Sequence, residues 1–145
     1  MKFRKLEEGD VDAVLAVESL SPEAARWSRG DYERAARGGF AGWVAENDFR
    51  VSGFLIARQI AVEMEILNLA VAPVARRSGI GSQLLDESLR WGKSSGAERV
   101  YLEVRASNHA AQRFYERHGF AVTGRRPRYY SEPGEDGLVL SRALT

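Results

Sequence analysis

The order of strand-like and helix-like segments limits the folds open to this chain. Two β-rich runs are joined by Asn47-Asp48, a dipeptide typical of a hairpin turn, and a third strand-like run follows them. From residue 79 onward, helical and strand patterns alternate. Local strand pairing followed by strand–helix alternation predicts a mixed α/β sheet layered with helices.

The individual elements follow from periodicity and from residues that start or stop helices. Ile80, Leu84 and Leu89 share one face of the most regular predicted helix, and Gly96 follows as a stop signal. Asn108 is a suitable N-cap for the last helix. The predicted strands cover residues 2–6, 40–46, 51–61, 62–72, 99–105, 120–125 and 138–143, with a polar loop between the last two. The predicted helices cover residues 8–19, 28–37, 79–95 and 109–118.

Length and composition narrow the class of protein. A chain of 145 residues fits one domain, so we expect residues 1–145 to form a single unit. The net charge of +1 does not favour nucleic acid or an anionic membrane as a partner, and the absence of cysteine excludes a thiol nucleophile. No apolar run approaches the roughly 20 residues that span a bilayer. These features predict a cytoplasmic protein without membrane or nucleic-acid partners.

The segment 68–82 has the pattern of an anion-binding turn. A strand ends, a basic turn with Arg76 and Arg77 follows, and Gly79 and Gly81 open a helix. Free N–H groups at a helix N-terminus bind phosphate, and glycines let the backbone approach the anion closely. The pattern predicts a phosphate site here, with an arginine-rich surface loop before a helix as the alternative.

Residues 76–81, Arg-Arg-Ser-Gly-Ile-Gly, resemble the [Gln/Arg]-x-x-Gly-x-[Gly/Ala] turn of the GNAT superfamily of N-acetyltransferases. Residues 108–120 resemble the second signature of the same family, in which Asn and Tyr face the cofactor. The resemblance implies an α/β (α+β) GNAT fold: a central mixed and mostly antiparallel twisted sheet of about six to seven strands, flanked by about four helices. It also implies acetyl-CoA as co-substrate, with no metal.

Within that family, residues 101–108 and Arg128-Tyr129-Tyr130 resemble the ribosomal-protein-alanine N-acetyltransferases (RimI type). The likeness extends from about residue 60 to residue 130 and is weak over the first forty residues. Trp27-Ser28 is similar to the family's Pro-Trp-Ser, with Arg26 in place of the proline. This narrower resemblance implies that the acceptor is the N-terminal α-amine of a protein or peptide, such as a small-subunit ribosomal protein that begins with alanine.

The resemblance also assigns roles at the cofactor site. It places backbone groups of Leu69, Ala70 and Val71 beside the acetyl group and pantetheine arm, where a splayed strand end can offer unpaired amides. Asn108 is expected to face the cofactor. The residues expected around the pyrophosphate are Arg76, Arg77, Ser78, Gly79, Ile80, Gly81 and Ser82.

Acyl transfer to an amine requires a base and an acid. The matching family position makes Glu103 the expected base, and alternation places it on one strand face with Tyr101 and Arg105. A carboxylate merely paired with Arg105 or a helix arginine is the alternative, and Glu65 is the second choice for the base. Tyr115 is the expected acid for the departing thiolate, with a core tyrosine as the alternative.

The acceptor side is the least specified by the sequence. By analogy with the family, Trp27, Arg128, Tyr129 and Tyr130 line the acceptor groove, whereas the alternative is an aromatic-rich loop that packs over the sheet. A GNAT enzyme that acetylates a lysine or a small metabolite, and a non-catalytic CoA-binding module, remain open functions. His109 and His118 lie on opposite faces of one predicted helix, so no joint metal site is expected. The expected state is a monomer or weak dimer.

Overall fold

A computed structural model describes residues 1–144, which form a seven-stranded sheet with helices on both faces. The strands are β1 (Lys2–Lys5), β2 (Ala41–Asn47), β3 (Arg50–Ile60), β4 (Glu63–Val71), β5 (Arg99–Arg105), β6 (Ala121–Tyr130) and β7 (Glu135–Ala143). The α-helices are α1 (Val11–Ser19), α2 (Arg29–Ala36), α3 (Ile80–Ser94) and α4 (His109–Arg117). Short 3-10 turns at Glu8–Asp10 and Pro73–Ala75 lead towards α1 and α3.

The strand order is β1-β2-β3-β4-β5-β7-β6, and only the β4–β5 pair is parallel. The mixed and mostly antiparallel sheet is therefore confirmed. The β4–β5 pair is also very short, because its register covers only Glu63–Arg99, Met64–Val100 and Glu65–Tyr101. Both strands continue beyond Glu65 and Tyr101 without pairing to each other, so the sheet splays open in its middle.

The two faces of the sheet carry separate cores. One core lies beneath α3 and α4 and includes Met64, Leu84, Leu102 and Tyr115. The other lies beneath α1 and α2, over β2, β3 and the far end of β4. No residue of β5, β6 or β7 in the described chain belongs to this second core. On this side, the half of the sheet that bears Glu65, Tyr101 and Glu103 is therefore not covered by α1 or α2. We call this surface the open face.

A β-bulge in β4 exchanges the faces of that strand. Ala57 of β3 pairs with Ile66, whereas the adjacent Ile56 pairs with Asn68, so Leu67 is the extra residue. Before the bulge Ile66 faces the α3 core; after it Asn68 faces the opposite side with the open-face residues. The strand expected over residues 62–72 is present as Glu63–Val71, one residue shorter at each end, and its alternation is interrupted by the bulge.

Two boundary expectations differ from the structure. The first hairpin turns at Asp48-Phe49, one residue later than expected, and both residues adopt the left-handed φ of a two-residue hairpin turn (50° and 65°). The polar loop expected between residues 125 and 138 is shorter than expected, because β6 continues to Tyr130 and β7 already begins at Glu135, its pairing partner. Pro127 is tolerated in this extension since β6 is an edge strand. No helix in residues 1–144 is long and apolar enough to cross a membrane.

Candidate active site

The opening between β4 and β5 forms the centre of the candidate site. Leu69, Ala70 and Val71 pair with β3 along one edge of β4. Along the other edge, β5 has already diverged after Glu65, so the backbone groups there have no strand partner. Unpaired amides at a splayed strand end can bind a ligand backbone or polarise a carbonyl oxygen.

The turn that follows β4 presents further free N–H groups to this opening. Arg77 and Gly79 both adopt left-handed φ (63° and 83°), a conformation that makes successive N–H groups face a common concavity. The first helical hydrogen bond of α3 runs from Gln83 N–H to the Gly79 carbonyl at 3.0 Å. The N–H groups of residues 80–82 therefore precede the helical ladder and can bind an anion.

The first turn of α3 packs directly against α4. A Cβ at position 81 would lie 3.5 Å from two ring carbons of Phe114, so the backbone of this turn and the Phe114 ring are close neighbours. Ser82 Oγ lies 2.9 Å from His118 Nε2 at the end of α4. His118 is the C-cap residue of α4, and its ring also contacts Phe114. These contacts join the predicted pyrophosphate turn to the helix that carries Tyr115.

The two arginines of the turn have different surroundings. Arg76 Nε donates to the Val71 carbonyl at 3.0 Å, and Nη2 approaches Ser21 Oγ at 3.4 Å. Arg77 is exposed, and its guanidinium has no hydrogen-bond or ion-pair partner among the described residues. Arg77 is thus the more available cation, whereas Arg76 braces the end of β4.

Asn108 caps α4, as its position in the sequence predicts. Its side-chain oxygen accepts from the Ala111 N–H at 3.1 Å. The cap fixes the start of α4 close to the end of β5. Its expected contact with the cofactor stays a prediction.

Glu103 lies just beyond the last β4–β5 pair, on the open face. Its Oε1 forms an ion pair with Arg126 Nε of β6 at 2.9 Å, and not with Arg105 or a helix arginine. Its Oε2 is buried and has no hydrogen-bond partner within residues 1–144. The Tyr129 phenol lies beside this carboxylate, near hydrogen-bond range but without the geometry of a hydrogen bond, and this attraction to Glu103, followed by burial, raises the pKa of the phenol. A buried oxygen without a partner is costly, so Oε2 marks a place where an incoming donor would be stabilised.

Glu65, the second choice for the base, is already engaged. Its Oε1 accepts from Arg58 Nε at 3.0 Å and Nη2 at 2.8 Å, and from Tyr101 Oη at 3.3 Å. Glu65 also lies at the last paired position, below the opening. Its carboxylate is therefore less available to an acceptor than Oε2 of Glu103.

Tyr115 approaches the sheet from the opposite side. It lies in the core beneath α3 and α4, is 6% exposed, and packs edge-on against Phe114 and Phe120. Burial raises the pKa of its phenol above the ordinary value, so the proton stays on the oxygen at neutral pH. Glu103 and Tyr115 thus occupy opposite faces of the sheet.

The structure brings together only part of the expected acceptor set. Tyr130 lies under the Arg105 guanidinium at 4.5 Å and contacts Tyr129, which lies near Glu103. Arg128 is exposed at left-handed φ (53°), and its N–H bonds Asp136. Trp27 lies on the α1–α2 connection and stacks on Tyr32. It is a packed aromatic of the second core.

These features fit acetyl-CoA as the ligand of the opening. The unpaired amides of β4, the free N–H groups that begin α3 and the unpaired Arg77 offer donors to a thioester oxygen and a pyrophosphate. By contrast, no group of three His, Cys, Asp or Glu side chains in the described chain is arranged to hold a metal ion.

A sheet opened beside a phosphate-type helix N-terminus is the arrangement of an acyl-CoA-dependent transferase, and comparison with known proteins identifies the class. The family described as Acetyltransferase (GNAT) matches residues 12–120. The chain belongs to the GNAT acetyltransferase family and is an acetyl-CoA-dependent N-acetyltransferase.

Named relatives agree with this class. The chain is 34% identical over 100 residues to the [ribosomal protein bS18]-alanine N-acetyltransferase of Salmonella typhimurium, covering 68% of each chain. It is similar to the crystal structure of the ribosomal-protein-S18-alanine N-acetyltransferase from Escherichia coli, with TM-score 0.87 and 26% identity over 99% of this chain and 94% of that one. It is also similar to Ard1 from Thermoplasma volcanium, with TM-score 0.88 and 28% identity over 99% and 97% of the two chains.

Sequence reasoning missed several residues of the site. Arg126 pairs with Glu103 only because β7 lies between β5 and β6, an order that no local pattern shows. The Ser82–His118 contact spans 36 positions and is likewise invisible locally. Asn68 could have been identified from the sequence, since a polar residue inside an apolar strand is buried only when it is hydrogen-bonded.

Proposed function

We propose that this enzyme transfers acetyl from acetyl-CoA to the N-terminal α-amine of a protein or peptide, and that a small-subunit ribosomal protein that begins with alanine is one acceptor. The observation that carries the proposal is the buried, unpartnered Oε2 of Glu103 beside the opening on the open face. An amine that enters from this face and displaces the side chains covering Oε2 finds an unused hydrogen-bond acceptor next to the unpaired strand edge.

Each residue then has a defined task. Glu103 accepts a proton from the amine, directly or through water, while Arg126 holds its other oxygen in place. Tyr115 keeps a proton on its oxygen on the far side of the opening, where it can serve a departing thiolate. Backbone groups of residues 69–71 bind the acyl arm, and residues 76–82 bind the pyrophosphate.

Two considerations favour an α-amine over lysine. An α-amine has a reference pKa of about 7.7–8.0 against about 10.4 for lysine, so it needs less help to become neutral. In addition, the similar enzymes of Salmonella typhimurium and Escherichia coli are named for an alanine of ribosomal protein S18.

The test is acetylation of a basic peptide that begins with alanine and contains internal lysines. Mass spectrometry should find the acetyl group on the terminal nitrogen, and the same peptide with a blocked N-terminus should remain unmodified. Label found only on lysine side chains would reject the α-amine as acceptor. Glu103→Gln is the matched control, since a folded variant of nearly the same size should lose most of the transfer.

A further inference from the structure

A buried polar network ties the segment 21–28 to the opened part of β4. Asn68, the first residue after the bulge, is 5% exposed. Its Oδ1 accepts from the Ala25 N–H and its Nδ2 donates to the Ala25 carbonyl, both at 3.1 Å. This double contact fixes the amide orientation, because a flipped amide would face donor to donor and acceptor to acceptor.

The network continues to Trp27. Asn68 Nδ2 also donates to Tyr32 Oη at 3.1 Å, and Tyr32 Oη donates to Glu18 Oε1 at 2.7 Å. The same carboxylate oxygen accepts from the Trp27 N–H at 2.8 Å, while the Trp27 and Tyr32 rings stack at 5.3 Å. Glu18, Tyr32 and Asn68 are all buried, so the bonds among their side chains are shielded from water.

The network lies on the side from which an acceptor would enter. Asn68 is three positions beyond Glu65, the last residue of β4 to pair with β5, and it faces the same side of the sheet as Glu103. Segment 21–28 therefore flanks the opening on the face opposite Tyr115. Its first residue, Ser21, also receives the contact from Arg76.

We propose that Asn68, Tyr32 and Glu18 are positioning residues for the acceptor: they hold segment 21–28 as a fixed wall of the acceptor entrance. The inference rests on the proposed function and adds to it the residues that set acceptor affinity. None of the three makes a side-chain hydrogen bond to the turn at residues 76–82. Segment 21–28 is linked to that turn by the contact between Ser21 and Arg76, but Ser21 Oγ is held separately by the Val17 carbonyl at 2.9 Å. Loss of the network should therefore weaken acceptor use selectively and spare acetyl-CoA use.

The experiment compares KM for an alanine-initiated peptide with KM for acetyl-CoA in two variants. Asn68→Ala removes three hydrogen bonds and should raise the peptide KM by roughly tenfold, with the acetyl-CoA KM within about twofold of wild type. Tyr32→Phe keeps the ring that supports Trp27 but removes the hydroxyl, so it should raise the peptide KM by a smaller factor. Hydrogen exchange should speed up in peptides that cover residues 21–28 in both variants.

Ser88→Ala is the matched control, because Ser88 is also fully buried but bonds only to Leu85 of its own helix. It should lower thermal stability without changing the peptide KM. Equal increases in both KM values for Asn68→Ala, or an unchanged peptide KM, would overturn the positioning role alone. A wild-type protein that acetylates no α-amine would overturn the proposed function and the inference together.

Discussion

At the scale of single residues, Tyr115 is a tyrosine buried on the α3–α4 side of the sheet. Its raised pKa means that the phenol always carries a proton near neutral pH, but also that it gives the proton up reluctantly. A thiol has a reference pKa of about 8.5, so transfer from the phenol depends on a site that stabilises the result. The structure explains the packing of this tyrosine fully, and its chemical role is a prediction.

Tyr115→Phe separates packing from chemistry. The variant keeps the ring between Phe114 and Phe120, so unfolding temperature and CoA affinity should change little. If the phenol protonates the leaving thiolate, kcat should fall by about 10²-fold, the low end for a lost general acid. Turnover on a peptide acceptor at saturating acetyl-CoA is the measurement. Near wild-type turnover would reduce Tyr115 to a core residue.

Glu103→Gln should behave differently with pH. Below the α-amine pKa of about 7.7–8.0 most of the acceptor is protonated and needs a base. The variant should therefore be most impaired at low pH and partly recover as pH rises, because more amine arrives neutral. Tyr115→Phe should not recover, since its defect lies in leaving-group protonation. A pH–rate profile of Glu103→Gln parallel to wild type would transfer the base role to Glu65 or to solvent.

At the scale of elements, the proposed pyrophosphate site at the start of α3 can be tested by adding a charged side chain at Gly81. Gly81→Glu places a carboxylate beside the free N–H groups of residues 80–82, where it competes with phosphate and repels it. CoA affinity measured by calorimetry should fall below detection while the circular dichroism spectrum is retained. Gly81→Ala is the control, because its Cβ would meet Phe114 at an ordinary 3.5 Å. Unchanged affinity in a folded Gly81→Glu protein would exclude this turn as the pyrophosphate site.

Elements with a strong period were predictable, and contacts between distant elements were not. The strand Arg99–Arg105 has the predicted bounds, because apolar and polar residues alternate without interruption. The bulge at Leu67 escaped prediction, because the adjacent apolar residues Ile66 and Leu67 are equally compatible with a regular buried strand. The extension of β6 was not predicted either, because its arginines and Pro127 are typical of a loop. Only the pairing with β7 shows that this segment is a strand. Candidate residues were thus found by motif, but their partners, such as Arg126 for Glu103, required the fold.

At the scale of the whole molecule, the opening in the sheet is reached from two sides by two parts of the chain. Helices α3 and α4 bring the phosphate-type turn and Tyr115 to one face. The α1–α2 connection and β6 bring Trp27 and Tyr129 to the other. Donor and acceptor can therefore approach from opposite faces and meet only where β4 and β5 part.

An ion-pair cluster joins β1, β2 and the 3-10 turn before α1, and it makes the free energy of unfolding depend on pH. Arg4 of β1 binds both carboxylate oxygens of Asp10 at 2.8 Å and also Glu46 of β2 at 2.8 Å. Burial opposes the ionisation of Asp10, but the bonds from Arg4 and from the Glu7 N–H outweigh it, and the pKa of Asp10 is lowered. A carboxyl group with a lowered folded-state pKa stabilises the protein above its unfolded pKa of about 3.9.

Asp10→Asn should therefore reduce the free energy of unfolding by about 2 kcal/mol at pH 7, the order of a charged hydrogen-bonded pair. The difference from wild type should shrink as pH falls below about 4, because wild-type Asp10 becomes protonated as the pH passes its lowered folded-state pKa. Urea unfolding at several pH values measures both. Asp12→Asn is the control: Asp12 is exposed and pairs with exposed Arg29, so its loss should cost little at any pH. A destabilisation by Asp10→Asn that persists undiminished at low pH would mean that Asp10 acts by packing and not by charge.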